Sequence, residues 1–86
     1  QNNNQKIKIN CFPNPFNDRI TFDINDGKNA QQAYKLILFD VSGKIIFSSM
    51  IKSRQEIYVP GLSANMYLYT ISDNGKVIVS GKLVKE

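Results

Sequence analysis

The chain has 86 residues, 42% of them hydrophobic, and a formal net charge of +4, which allows one domain with a single modest core. It contains no histidine and one cysteine, Cys11, which excludes an internal disulfide and a cysteine zinc site and removes the commonest general base. No apolar run approaches the roughly 20 residues that a membrane-spanning helix needs.

The lysines and arginines are scattered along the whole chain. A nucleic-acid-binding domain would gather its basic residues on one face or stripe, so the pattern argues against a nucleic-acid partner. Scattered basic residues instead favour solubility and protection of exposed strand edges. Weak attraction to an anionic surface is the alternative.

A proline segment, Phe-Pro-Asn-Pro-Phe-Asn over Phe12 to Asn17, follows the first predicted strand. That strand runs from Lys6 to Cys11 and alternates, with Ile7, Ile9 and Cys11 facing inward. Each proline fixes its own φ and has no N–H to donate. The segment is therefore expected to be a rigid, extended bend that cannot serve as a central strand.

Alternation predicts two more strands before the middle of the chain. The first is Asp18 to Ile24, which ends at turn-forming residues over 25–29. The second, Tyr34 to Phe39, is apolar on both faces apart from Lys35. That pattern predicts a central strand covered on both sides at least in part. The inward residues are Ile20, Phe22 and Ile24 in the first strand, and Leu36 and Leu38 on one side of the second.

A hairpin and four further strands complete the chain. Asp40-Val41-Ser42-Gly43-Lys44 predicts a tight turn, because Asp can accept backbone N–H bonds and Gly tolerates positive φ. The predicted strands are Ile45 to Ile51, Glu56 to Val59, Tyr67 to Ser72 and Lys76 to Val84. The expected inward residues of the last three are Ile57 and Val59, then Tyr67, Tyr69 and Ile71, then Val77, Val79 and Leu83, with Gly81 leaving a gap or bulge in that register.

Seven short strands without a helical period predict an all-β fold, an antiparallel β-sandwich of immunoglobulin-like type, with a closed barrel as the weaker alternative. Leu62 to Tyr67 is similar to the tyrosine corner of such sandwiches, in which the Tyr hydroxyl bonds back to upstream backbone. Gln1 to Gln5 is expected to be a polar linker or frayed end. Residues 6–86 are expected to form the single domain.

Neither catalytic chemistry nor a cofactor site is indicated. The sequence shows no recognisable pair of acid and base residues for catalysis, and the serines have no histidine to activate them. Oxygens of Asp23, Asn25 and Asp26 could bind Ca²⁺, but their spacing is not that of a calcium loop. Tyr34 and Tyr58 are the tyrosines freest to stack on a sugar, which leaves a carbohydrate-binding or adhesion module as an alternative function. An inert spacer domain is another.

Four short motifs occur in a fixed order. They are Pro13-Asn14-Pro15, Asp40-x-x-Gly43-Lys44, Asn65-Met66-Tyr67-Leu68 and Lys82-Leu83-Val84-Lys85. Together they resemble the type A C-terminal sorting domain of cargo proteins of the bacterial type IX secretion system, over Ile7 to Glu86. Phe12 stands where that family often has Tyr, and Asn65 where it usually has Gly. Asn tolerates left-handed backbone better than most residues, so the turn is expected to be kept.

The resemblance implies a seven-stranded sandwich and a function as a secretion signal. The parent protein would carry an N-terminal cargo domain and cross the inner membrane. The outer-membrane translocon would then recognise this domain, and a surface sortase would remove it, leaving the cargo released or anchored at the cell surface. The implied recognition residues are Pro13, Asn14, Pro15, Asp40, Gly43, Lys44, Tyr67, Lys82, Val84 and Lys85, with no catalytic, cofactor or metal residue.

A mechanism follows from the predicted end of the last strand. If the backbone groups of Lys82 to Glu86 are free, this edge can add to a partner sheet, in the translocon or in an edge-strand dimer. Leu83 is expected in the core, with Lys82 and Val84 on the opposite face. The proline bend would present Asn14 and Phe16 in fixed positions, and Gln1 to Gln5 would be the exposed junction that a sortase reaches.

Overall fold

The computed structural model describes residues 8–25 and 32–86. The predictions for Gln1 to Gln5, for Lys6 and Ile7, and for the turn and calcium oxygens beyond Asn25 lie outside these ranges. Within them the chain forms seven strands: β1 (Lys8–Phe12), β2 (Arg19–Asn25), β3 (Tyr34–Phe39), β4 (Ile45–Ile51), β5 (Arg54–Tyr58), β6 (Asn65–Asp73) and β7 (Lys76–Lys85). Each lies within a few residues of a strand that alternation predicts.

The strands form two antiparallel sheets. One has three strands in the order β1-β2-β5, and the other has four in the order β4-β3-β6-β7. Both β3 and β6 are central in the larger sheet, as the apolar character of β3 predicts. The predicted fold class, an all-β antiparallel sandwich, is confirmed.

The inward residues of both sheets form one hydrophobic core. The predicted inward residues of β2, β5 and β6, together with Leu36, Leu38 and Leu83, are all buried in it. Cys11 is only half-buried and packs against the core edge with Ile9. The buried hydrophobic residues are Phe16, Ile20, Phe22, Ile24, Tyr34, Leu36, Leu38, Ile51, Ile57, Val59, Tyr67, Tyr69, Ile71 and Leu83.

A β-bulge makes one predicted inward residue wrong. Ile71 of β6 lies opposite Val79 of β7, but the next residue, Ser72, lies opposite Val77. Ile78 is therefore the extra residue, and the alternation of β7 reverses at this point. As a result Val77 is 56% exposed, whereas Ile78 and Val79 both pack against the core.

Tyr34 does not have the exposed position that the carbohydrate-binding alternative needs. It is 3% exposed and belongs to the core, because it shares the face of β3 that carries Leu36 and Leu38. Tyr58 is exposed, but the guanidinium of Arg19 lies 4.9 Å from the centre of its ring. The two tyrosines therefore form no exposed aromatic row.

Among the residues that the structure describes, no helix is long and apolar enough to cross a membrane.

Candidate functional site

The four sequence motifs meet at one end of the sandwich, although up to 70 residues separate them in the chain. The hairpin between β3 and β4, the start of β6 and the end of β7 lie side by side there, since Phe39 pairs with Leu68 and Asn65 pairs with Lys85. The proline segment joins them through Phe16, which forms a parallel bridge to Lys85. We call this region, residues 12–17, 40–44, 61–67 and 82–86, the motif end.

Asn14 connects the proline segment to the last strand. The backbone N–H of Val84 donates to Asn14 Oδ1 at 2.9 Å, and Asn14 Nδ2 donates to the carbonyl of Lys82 at 3.3 Å. Pro13 and Pro15 flank this side chain and are both exposed, each after a cis peptide bond. The first and last motifs are thus one continuous structure.

Phe16 completes this connection through its backbone. Its N–H donates to the carbonyl of Val84 at 2.8 Å, and its carbonyl accepts from the N–H of Glu86 at 3.0 Å. Its ring is 1% exposed and meets the ring of Tyr67 edge-on at 6.4 Å. The expectation that the bend presents Phe16 is therefore wrong: the ring anchors the proline segment in the core.

The predicted free edge at the end of β7 is also wrong. The outward groups of Lys82, Val84 and Glu86 bond to Asn14 and Phe16 instead of facing an open position for a partner strand. The side chains keep the predicted arrangement, since Leu83 is fully buried while Lys82 and Val84 are exposed. Recognition at this strand can therefore use side chains but not sheet extension at these backbone groups.

The hairpin motif is a closed turn organised by Asp40. Its Oδ1 accepts from the N–H of Ser42 at 2.9 Å, from the Ser42 hydroxyl at 2.6 Å and from the N–H of Lys44 at 3.0 Å. The Ser42 hydroxyl bond, followed by the backbone bond from Lys44, lowers the pKa of the Asp40 carboxyl. Gly43 has a φ of 92°, as the turn prediction requires.

The tyrosine corner forms as predicted. The hydroxyl of Tyr67 donates to the carbonyl of Ser63 at 2.7 Å, four residues upstream, and the Tyr67 ring is buried. The predicted left-handed turn at Asn65 is not present. Asn65 is extended and paired in β6, and the positive φ of this loop is at Gly61 (81°). The loop turns earlier than the family pattern suggests.

A cleft of about 370 Å³ lies between the hairpin and the tyrosine corner. The lining combines the backbone of two turns with a few apolar side chains. Its lining residues are Asp40, Val41, Ser42, Ile46, Gly61, Leu62, Ser63, Asn65 and Tyr67. Two of the four motifs thus form the walls of one cleft.

Cys11 and Tyr69 form a polar contact at the edge of the core. The thiol of Cys11 lies 3.8 Å from the Tyr69 hydroxyl. Burial is the main cause that raises the pKa of Tyr69 to about 12, with Cys11 adding to the effect, and burial likewise raises the pKa of Cys11. Both groups are neutral at physiological pH, so the contact is structural.

Among residues 8–25 and 32–86, no group of three His, Cys, Asp or Glu side chains is placed to hold a metal ion. The carboxylate of Asp23, one of the possible calcium ligands, lies 3.4 Å from the guanidinium of Arg54 instead.

The family model described as secretion system C-terminal sorting domain matches residues 8–86 of the chain. No curated protein and no solved structure is detectably similar to it. The matched region includes every strand and all four motifs of the motif end. Such domains are signals for type IX secretion, which delivers the parent protein to the cell surface or the medium. The chain therefore belongs to the family of C-terminal sorting domains of the type IX secretion system.

Proposed function

We propose that the motif end is the surface through which the type IX translocon recognises this sorting domain. One observation carries the proposal: the side chain of Asn14 bonds to both Lys82 and Val84 of the last strand. Motifs at the two ends of the chain thereby form one surface. The secretion signal is then a folded structure rather than a linear tag.

The rigidity of this surface favours binding. Both prolines fix their φ angles, and Asn14 and Phe16 hold the segment against β7 through four hydrogen bonds. A surface that is already ordered loses little conformational entropy when a partner binds. The exposed groups that a partner can read include Lys82, Val84 and the two prolines, with the neighbouring cleft available for an inserted side chain.

Removal of the domain after export belongs to the same proposal. The cargo domain precedes residue 1, Gln1 to Gln5 form the junction, and a surface sortase cuts there before the cargo is released or anchored. The support is the composition of this segment, which has no apolar residue, since small and polar residues are common at the sites where proteases cut. The sorting domain is then residues 6–86.

The test uses a fluorescent protein that carries an inner-membrane export signal and is fused in front of residues 1–86. We expect the fusion to reach the surface or the medium only in cells that have the type IX translocon. The variant Asn14→Ala removes the two bonds of the Asn14 side chain to β7 and should leave the fusion in the periplasm. Asn10→Ala, at an exposed asparagine of β1 outside the motif end, is the matched control and should be secreted normally.

Truncation is a poorer test than these point substitutions. Deleting Lys82 to Glu86 removes Leu83, which is fully buried, and a lost core leucine costs about 2–5 kcal/mol. A truncated fusion could therefore fail simply by unfolding. Normal secretion of Asn14→Ala would contradict the proposal, and so would secretion of the unchanged fusion from cells that lack the translocon.

A further inference from the structure

The outer face of the four-stranded sheet is unusually apolar. Phe39 of β3 lies opposite Ile45 of β4 on one side and Leu68 of β6 on the other, and Met66 of β6 lies opposite Val84 of β7. Ile45, Leu68, Met66 and Val84 are all exposed, and no described strand or loop forms a layer over them. The apolar residues of this face are Ile37, Phe39, Ile45, Met50, Met66, Leu68, Val77 and Val84.

The sequence of β3 predicts that this outer face is covered by another layer. Ile37 and Phe39 give β3 apolar side chains on both faces, as in strands buried on both sides. Leu36 and Leu38 fill the core, but Ile37 and Phe39 are only partly buried, by their neighbours in the sheet. The described residues therefore supply no layer over the outer face of β3.

The outer face of the three-stranded sheet is different. It is mainly polar and carries two ion pairs, Arg19 with Glu56 and Arg54 with Asp23, each at 3.4 Å. Arg54 also covers the ring of exposed Phe12, with its guanidinium carbon 5.5 Å from the ring centre. This is the expected pattern of a solvated face, so the apolar outer face of the larger sheet is not a general property of the domain.

The charge of the apolar face has one sign. Lys35 of β3 and Lys82 of β7 alternate onto it, and no acidic residue of the four strands does so. Both lysines are exposed, and they lie near opposite ends of the apolar cluster. Such an arrangement is complementary to an apolar surface that is bordered by carboxylates.

We propose that this face is a docking surface for a protein component of the export machinery whose own contact surface is apolar and bordered by Asp and Glu side chains. The proposal rests on the proposed function in taking the partner from that machinery. Val84 and Lys82 belong both to this face and to the motif end, so one partner can contact the two surfaces together.

The size of the face argues against a second copy of the chain as the occupant. From the spacing of strands and residues, four strands over this length present roughly 400 Å². A stable interface of standard size buries about 800 Å² on each partner. A partner that covers the motif end as well reaches a sufficient area.

The experiment places the photo-crosslinking residue p-benzoylphenylalanine at position 68 of the fluorescent fusion, in cells that have the type IX translocon. Position 10, exposed on the outer face of the three-stranded sheet and outside the motif end, is the matched control. We expect position 68, but not position 10, to crosslink to an export component, with the crosslinked peptide mapping to an apolar surface beside Asp or Glu residues.

The charge requirement is tested in the same cells. Lys35→Glu with Lys82→Glu should lower the yield at position 68 roughly tenfold, the effect of losing two charge pairs and creating repulsion in their place. Lys8→Glu with Lys76→Glu makes the same change in net charge at exposed lysines that alternate away from the face and should leave the yield unchanged. An equal loss in both double variants would overturn the proposed complementarity.

Other outcomes would overturn the proposal in distinguishable ways. Crosslinks between two copies of the chain would assign the face to a dimer. Binding of the purified domain to vesicles of phosphatidylethanolamine and phosphatidylglycerol, lost in Lys35→Glu with Lys82→Glu, would assign it to a lipid surface. The absence of crosslinks at position 68, with secretion still blocked by Asn14→Ala, would reject this face while leaving the proposed function intact.

Discussion

The ring of Tyr69 occupies the space that a side chain at residue 81 would need. Tyr69 and Gly81 are directly opposed across β6 and β7, and a Cβ on Gly81 would lie 2.7 Å from the Tyr69 ring. The same ring meets Phe22 of the opposite sheet edge-on at 5.3 Å. The gap that Gly81 leaves in the register of β7 is therefore filled by a tyrosine that links the two sheets.

We expect Gly81→Ala to destabilise the domain by about 1–3 kcal/mol, because Tyr69 is packed on its other side and cannot move away freely. In a domain of this size, each kcal/mol lowers the melting temperature by about 4–8 °C. Thermal unfolding followed by circular dichroism measures the change. Ser80→Ala, at the exposed neighbouring residue, should melt within a few degrees of the parent domain, and an unchanged melting temperature for Gly81→Ala would contradict the close contact.

The raised pKa of Tyr69 predicts a loss of stability at alkaline pH. Its folded pKa of about 12 lies above the ordinary value of 10.0, so the unfolded chain loses the Tyr69 proton first. The stabilising contribution is therefore complete below about pH 10 and falls as the pH rises from there through 12. Urea unfolding at about pH 9 and about pH 11 measures the free energy of unfolding at each pH. Between these two pH values that free energy should fall more for the unchanged domain than for Tyr69→Phe.

Tyr58→Phe is the control for this pH dependence, because Tyr58 lies on an exposed outer face. This variant should show the same drop between the two pH values as the unchanged domain. If Tyr69→Phe also showed the full drop, the alkaline transition would belong to another group and the proposed role of Tyr69 burial would be wrong.

Removing the hydroxyl of Tyr67 should lower the free energy of unfolding by a small, defined amount. In Tyr67→Phe the carbonyl of Ser63 loses its 2.7 Å bond while the ring keeps its contact with Phe16. A lost hydrogen bond of this kind costs about 0.5–1.5 kcal/mol. Chemical denaturation should show this loss in the free energy of unfolding, with an unchanged slope of that free energy against denaturant concentration. Tyr58→Phe should show almost no loss of free energy. A cost as small as that of the control would mean that the corner does not stabilise the loop.

Local patterns in the sequence were sufficient to predict most of the fold. Alternation placed the inward residues of β2, β5 and β6, and the spacing of Leu62 and Tyr67 predicted the tyrosine corner. Tyr34 could also have been assigned to the core, since it has the same parity as Leu36 and Leu38. In each case the informative residues lie within a few positions of one another, where strand geometry fixes which side chains share a face.

The errors arose where distant parts of the chain decide the structure. Alternation stops at the two prolines, so nothing local indicated that Phe16 enters the core or that Asn14 bonds to residues about 70 positions away. Val77 was misplaced because a single extra residue reverses the faces of a strand. The edge of β7 looked free because the segment that covers it comes from the opposite end of the sequence.

The prolines should matter more for secretion than for stability. Replacing both Pro13 and Pro15 by Ala frees two φ angles and costs about 1–2 kcal/mol through the entropy of the unfolded chain. A domain of ordinary stability, about 5–15 kcal/mol, would survive that loss. The bonds of Asn14 to β7 would no longer be held in place, so we expect the fluorescent fusion to remain in the periplasm while the purified domain still unfolds cooperatively.

A variant with similar instability but an unchanged motif end separates recognition from folding. Ile24→Val removes one methyl group from the core, at the end of β2 far from the proline segment, and costs about 0.5–1.5 kcal/mol. The two variants should lose similar amounts of melting temperature. If the motif end is the recognition surface, Ile24→Val is nevertheless secreted normally, whereas the proline variant stays in the periplasm. Equal secretion defects at equal melting temperatures would show that the prolines act only by stabilising the fold.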